Sequence, residues 1–110
     1  DNNQLQTLPE SFAQLQELRI LRMRSNNLVT FPTSLTQLQK LEQLQLAFNQ
    51  ITSIPEALGQ LPNLKELDLM ENKVSMLPTE FKALEILNIR NNIWRKVRTF
   101  TSVARYWLKR

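Results

Sequence analysis

The chain has 110 residues and a formal net charge of +4; 20 residues are leucine, one is glycine, and none is histidine or cysteine. Without histidine and cysteine it has no thiol nucleophile, no disulfide, no zinc site built on these ligands and no imidazole general base. The single glycine, Gly59, excludes glycine-rich phosphate loops, which need at least two, so the composition predicts a protein that is not an enzyme and holds no metal or cofactor.

The charge is divided unevenly along the chain. Residues 1–94 contain 8 basic and 10 acidic side chains, whereas residues 95–110 contain 6 basic and no acidic ones. No apolar run approaches the roughly 18–20 residues that span a bilayer. The absence of cysteine and of Asn-x-Ser/Thr glycosylation sites favours an intracellular, cytoplasmic protein.

Asparagine and proline recur every 23 residues, and apolar side chains recur in the same register. The recurring polar positions are Asn3, Asn26, Asn49 and Asn72, followed by Pro9, Pro32, Pro55 and Pro78. A last copy, Leu87-x-Ile89-x-x-Asn92, follows after only 20 residues, because its segment 81–84 is three residues shorter than its counterparts. Periods of this length indicate stacked structural repeats.

Each repeat contains a strand pattern followed by a return pattern. Leu67 and Leu69 alternate with polar residues and predict a short strand with both leucines facing the core. The three-residue spacing of Leu58, Leu61 and Leu64 predicts a short helical or 3-10 return, with the preceding proline at its first helical position. The recurring asparagines are interpreted as structural, because a buried amide can bond backbone groups that a turn leaves unpaired.

The pattern L-x-x-L-x-L-x-x-N-x-L resembles the leucine-rich repeat over residues 1–92. The resemblance implies an α/β solenoid: short parallel strands on a concave face, irregular, 3-10 or helical returns on the convex face, and a protein partner bound through the concave face. The 23-residue unit with Leu-Pro resembles the intracellular subclass found in Ras-binding scaffolds and Scribble-type polarity proteins. The 20-residue final unit also resembles bacterial effector repeats.

The side chains between the core leucines are the candidates for partner binding. The alignment places these positions on the concave face: Ile20, Arg22, Arg24, Ser25, Gln43, Gln45, Ala47, Phe48, Glu66, Asp68, Met70, Glu71, Ile86, Asn88, Arg90 and Asn91. Phe48, Met70 and Ala47 are expected to form an exposed apolar cluster rimmed by charge, as at protein contacts. The predicted partner-binding residues are Arg22, Arg24, Gln43, Gln45, Phe48, Glu66, Asp68, Met70, Glu71, Asn88 and Arg90. Two alternatives stay open: Phe48 packs over the coil edge, or the charges are simply solvated.

Residues 93–110 leave the repeat and form a separate predicted segment. Apolar side chains from Ile93 to Trp107 recur at steps of three and four, which predicts a basic amphipathic helix that caps the last coil. The same segment could dock on an anionic lipid surface or a nucleic acid, through Arg95, Lys96, Arg98 and Arg105.

No N-terminal cap is apparent, so the first core layer, around Leu5, Leu8, Leu15 and Leu18, is expected to be open. This suggests either a piece of a longer repeat protein or an end that something else covers. The predicted function is a non-catalytic protein-interaction module or scaffold. The alternatives are a regulatory or substrate-recruiting domain of an enzyme whose catalytic part lies elsewhere, and anionic docking through the basic segment.

Overall fold

The computed structural model describes residues 8–75, 77–90 and 92. Strands and 3-10 helices alternate along this part of the chain. The helices are η1 (Glu10–Gln14), η2 (Thr33–Gln37) and η3 (Glu56–Gln60), and the strands are β1 (Ile20–Arg22), β2 (Gln43–Gln45), β3 (Glu66–Asp68) and β4 (Ile86–Asn88). No helix in these ranges is both long and apolar enough to cross a membrane.

The four strands form one parallel sheet in chain order. The register pairs Leu21 with Leu44, Leu44 with Leu67 and Leu67 with Leu87. The first two steps are 23 residues long and the last is 20, so the sheet follows the register of the sequence repeat. The expected curved α/β solenoid with parallel strands and returns on the opposite side is confirmed over the described residues.

Leucines from successive coils stack into one continuous core between the sheet and the returns. The strand leucines Leu44, Leu67 and Leu87 and the return leucines Leu38 and Leu61 are all at most 2% exposed. Burying one such side chain contributes about 1.5–3 kcal/mol. A single coil has no second layer to cover its leucines, so each coil is stabilised mainly by its neighbours.

The 3-10 helices begin directly after a proline in each of the first three coils. The carbonyls of Pro9, Pro32 and Pro55 accept the first i to i+3 bonds, at 3.0–3.1 Å from the nitrogens of Phe12, Leu35 and Leu58. The prolines have extended ψ values and are N-caps, so the expectation of a first helical position is wrong by one residue. Proline suits the cap because its fixed φ matches the extended approach and no donor is needed there.

The return between β3 and β4 forms no 3-10 helix in its described residues. It is three residues shorter than its counterparts, and its backbone lies directly against η3. The nitrogen of Lys82 donates to the carbonyl of Gly59 at 2.9 Å. A Cβ atom on Gly59 would collide with the carbonyl oxygen of Glu80 and lie 3.3 Å from Cβ of Pro78. The glycine is therefore required by close approach, not by its backbone conformation.

Ion pairs connect the edges of the first two coils. The Lys40 ammonium lies 2.9 Å from a carboxylate oxygen of Glu17, and Arg19 lies 3.5 Å from Glu42. The hydrogen bond from Lys40 lowers the pKa of Glu17, helped by the charges of Lys40 and Arg19. All four side chains are well exposed, so these pairs contribute little stability.

The first coil has a thinner core than the others. Leu15 is 47% exposed, and Leu8, Phe12 and Leu18 are only partly buried against the core. Of the residues expected in an open first layer, Leu15 is exposed and Leu8 and Leu18 are half-buried, whereas Leu5 lies outside the described residues.

Candidate functional site

Asn49 and Asn72 are buried, Asn92 is half-buried, and each of the three bonds the backbone of two coils. Nδ2 of Asn49 donates to the carbonyl of Leu46 in its own coil and to that of Met23 in the preceding coil, both at 2.9 Å. Its Oδ1 accepts from the nitrogen of Leu28 at 3.1 Å. Asn72 and Asn92 repeat this arrangement one and two coils later. The Nδ2 donors and the Oδ1 acceptor of Asn49, Asn72 and Asn92 all bond backbone groups within the protein, which confirms the structural role of these three residues.

Replacing Asn49 by alanine is expected to lower the free energy of unfolding by about 2 kcal/mol, because buried backbone groups of Met23 and Leu28 lose their partner. Denaturant titration followed by circular dichroism measures the change. Asn63→Ala is the matched control, since the exposed Asn63 makes a single bond to the carbonyl of Gln39. The control should stay within about 0.5 kcal/mol of the wild type. Equal losses in the two variants would contradict the buried network.

The residue before each buried asparagine has a left-handed backbone. Ser25, Phe48 and Glu71 have φ values of 57°, 61° and 58°. This conformation costs a residue with a side chain about 1–2 kcal/mol, and it is rare for bulky residues. It turns the chain so that the next side chain, the asparagine, enters the core. Sequence reasoning missed this conformation, although the position is marked by the recurring asparagine that follows it.

On the concave face, each strand contributes two side chains, as predicted, and these form two rows that run across the sheet. One row contains Ile20, Gln43, Glu66 and Ile86, and the other contains Arg22, Gln45, Asp68 and Asn88. Arg22 and Arg90 are exposed, and Arg24, the two glutamines, Glu66, Asp68, Met70, Glu71 and Asn88 are half-buried. All eleven predicted partner-binding residues therefore reach the surface, whereas Asn91 is outside the described residues.

Two expectations about the apolar cluster need correction. Ala47 is fully buried, because the strand ends at Gln45 and its side-chain alternation does not continue. The Ala47 carbonyl accepts from the Ser25 nitrogen at 3.0 Å, so this short side chain is held inward. Met70 is only half exposed to solvent, and its sulfur lies 3.8 Å from Nδ2 of Asn88. The exposed apolar residues on this side are Phe48, at 43%, together with Ile20 at 47% and Ile86 at 37%.

Phe48 does not pack over the coil edge as an ordinary core residue. The guanidinium carbon of Arg24 lies 5.8 Å from the centre of its ring, within the range of a cation–π contact. The backbone nitrogen of Phe48 donates to the carbonyl of Met70 at 2.9 Å, and this bond holds the backbone of Phe48 against the third coil. An aromatic ring is thus held at the surface in a strained backbone conformation.

A shallow depression of about 160 Å³ lies on the concave face around β3. Its sides are formed by Gln45, Glu66, Asp68, Ile86 and Asn88 above the buried Leu44 and Leu67. Oδ1 of Asp68 accepts from the Met70 nitrogen at 3.1 Å, and Oδ1 of Asn88 accepts from the Arg90 nitrogen at 3.2 Å. These bonds orient both side chains at the ends of their strands.

Comparisons with known proteins agree with this geometry. Residues 39–81 match the family model for leucine rich repeats in two copies. A solved structure of a leucine-rich repeat protein from Leptospira interrogans is 35% identical, with a TM-score of 0.79. The match covers 86% of this chain and 24% of that protein. The chain has the leucine-rich repeat fold.

Two plant receptors have similar leucine-rich repeats. The ectodomain of the Arabidopsis thaliana membrane receptor kinase GASSHO1/SCHENGEN3, in complex with Casparian strip integrity factor 2, is 34% identical with a TM-score of 0.70. The match covers 78% of this chain and 11% of that one. The plant peptide hormone receptor RGFR1, in complex with RGF2, is 27% identical with a TM-score of 0.70, covering 83% of this chain and 15% of that one. No curated protein sequence matches the chain significantly. The chain therefore spans at most about a quarter of these leucine-rich repeat proteins.

The anion-binding prediction concerns a different part of the chain. Arg95, Lys96, Arg98 and Arg105 and the whole predicted cap at 93–110 lie outside the described leucine-rich repeats. Anionic docking and capping by this segment stay predictions.

Proposed function

We propose that the chain is a non-catalytic protein-interaction module that binds a protein partner through its concave face. The observation that carries this proposal is that three exposed apolar side chains, Ile20, Phe48 and Ile86, are spread among charged residues on this side of the protein. Exposed apolar groups rimmed by charge are typical of protein contacts. Leucine-rich repeats are in general an interaction fold, and the two similar plant receptors are in complex with the ligands named above.

The finer parts of the proposal rest on the sequence. The 23-residue Leu-Pro unit supports membership in the subclass of Ras-binding scaffolds and Scribble-type proteins, and the lack of cysteine supports an intracellular location. The partner is then a protein of a signalling or scaffolding assembly.

A second candidate is a recruiting or regulatory module of an enzyme. The likeness to the ectodomain of a receptor kinase favours it, because those leucine-rich repeats belong to a protein that also has a kinase. The same concave face would then select the substrate or the regulator.

Affinity capture tests the proposed surface. The wild-type chain and the triple variant Arg24→Ala/Phe48→Ala/Asp68→Ala are used as baits, and the captured proteins are identified by mass spectrometry. A true partner should lose at least tenfold in affinity for the variant, about 1.4 kcal/mol, because the variant lacks the aromatic and both charges.

A matched variant on the outer side, Gln60→Ala/Glu80→Ala/Lys82→Ala, changes three exposed residues and should bind as the wild type does. Circular dichroism confirms that both variants are folded. A partner that binds the concave variant as tightly as the wild type would refute the concave site.

A further inference from the structure

We infer that the partner presents an extended peptide segment in which an acidic and a basic side chain flank an apolar one. This inference rests on the proposed function and names the chemistry that the concave face selects. It depends on the order of charge across the strands, on the exposure of Phe48 and on the depression beside Glu66 and Asp68.

The charge on the concave face changes from positive on β1 to negative on β3, and the exposed Arg90 after β4 is positive again. Arg22 lies on β1, the neutral Gln45 on β2 and Asp68 on β3, and the register places these three side by side. Strands are about 4.8 Å apart, so the positive and negative positions are separated by about 10 Å. A segment lying across the strands meets a cation first and carboxylates three residues later, since an extended chain advances about 3.3 Å per residue.

These charges are not neutralised inside the described part of the protein. The ion pairs that it forms, Arg19–Glu42 and Lys40–Glu17, involve residues outside the strands. Arg22, Glu66 and Asp68 have no counter-ion among the described residues. A partner with the complementary order of charge gains at both β1 and β3, and one with a single sign is repelled at one of these two strands.

Phe48 supplies the apolar contact from the middle coil, three residues beyond Gln45. It follows β2, and the row formed by Ser25, Phe48 and Glu71 places it between the first and third coils. The ring stays 43% exposed although its left-handed backbone costs free energy. Ser25 and Glu71 share this backbone, which therefore belongs to the repeat, and it is the exposure of the ring that assigns it to the apolar side chain of the segment.

The depression on the concave face suits one long side chain of the segment. The depression of about 160 Å³ beside Glu66 and Asp68 is smaller than the roughly 300–1,000 Å³ of small-molecule pockets. It fits one lysine or arginine side chain, with the apolar stem on Ile86 and the cation at the carboxylates.

Fluorescence anisotropy with labelled synthetic peptides tests the inference. The mixed probe contains Asp-Asp-Leu-Leu-Lys-Lys between serines, and three probes of equal length replace the lysines by aspartates, the aspartates by lysines, or the leucines by serines. The mixed probe is expected to bind at least tenfold more tightly than each of the other three.

Two single variants then reverse the charge on one strand at a time, first on β1 and then on β3. Arg22→Glu should weaken the mixed probe at least fivefold and strengthen the all-basic one, and Glu66→Lys should weaken the mixed probe and strengthen the all-acidic one. Neither side chain makes a hydrogen bond or ion pair in the described structure, so both variants should remain folded. Lys82→Glu, on the outer side, is the control and should change none of the four affinities.

Equal binding of the four probes, or binding that Arg22→Glu and Glu66→Lys leave unchanged, would overturn the inference. So would an all-basic probe that binds as tightly as the mixed one, which would indicate a simple cation site. A captured partner that depends on the concave face but binds through a folded surface, without this order of charge, would also overturn it and leave the proposed function intact. The loss of any concave-dependent partner would instead refute the proposed function.

Discussion

Replacing Gly59 by alanine is expected to lower the free energy of unfolding by about 3 kcal/mol, the upper end of the usual cost of overpacking. The added Cβ would collide with the carbonyl oxygen of Glu80, which is backbone and cannot rotate away. The segment 78–82 would have to move off η3, and the bond from the Lys82 nitrogen to the Gly59 carbonyl would lengthen or break. The last coil would therefore lose its close contact with the preceding one.

The midpoint of urea unfolding measures this loss, provided that the denaturant slope is unchanged. Gln60→Ala is the control, because Gln60 is the exposed neighbour of Gly59 on the same 3-10 helix. It should stay within about 0.5 kcal/mol of the wild type. A Gly59→Ala variant as stable as the wild type would show that the return between β3 and β4 does not lie against η3.

Leu67→Ala is expected to cost about 3–4 kcal/mol, because it leaves a cavity in the middle of the stack. Leu67 is 1% exposed and pairs in register with Leu44 on one side and Leu87 on the other. Neither neighbour can move into the space without breaking the bonds that join the strands. The same urea titration measures the effect.

Leu21→Ala is the matched control for the position in the stack. Leu21 occupies the same place on β1 but is only partly buried, and its strand pairs with β2 alone among the described strands. We expect about half the cost of Leu67→Ala. Equal costs at the two positions would contradict a stability that comes from neighbouring coils.

The repeat could be predicted because its residues recur at a regular spacing along the sequence. The 23-residue spacing aligned Leu44 with Leu67, and the 20-residue step aligned Leu67 with Leu87, as the sheet confirms. The role of Gly59 could not be predicted in this way. Its constraint comes from backbone about 20 residues later, and depends on the length of a return whose path the periodicity does not describe.

The candidate site was predictable where it lies on strands. Arg22, Gln45 and Asp68 face the concave side because side chains alternate along a strand. Beyond the strand ends the alternation fails: Ala47 is buried, and Phe48 reaches the surface through a left-handed backbone. The turn geometry that decides these two positions is set by the buried asparagine that follows them.

The asparagines also limit when each turn can be completed during synthesis of the chain. The turn that contains Met23 and Leu28 is complete only when Asn49 reaches it, and the turn around Leu46 and Ile51 waits in the same way for Asn72. On a ribosome that adds roughly 5–20 residues per second, each turn can therefore be completed no sooner than about one to five seconds after its own residues have been made. Until then water hydrates the unpaired backbone groups. Each of these coils depends on the coil made after it to complete its hydrogen bonds.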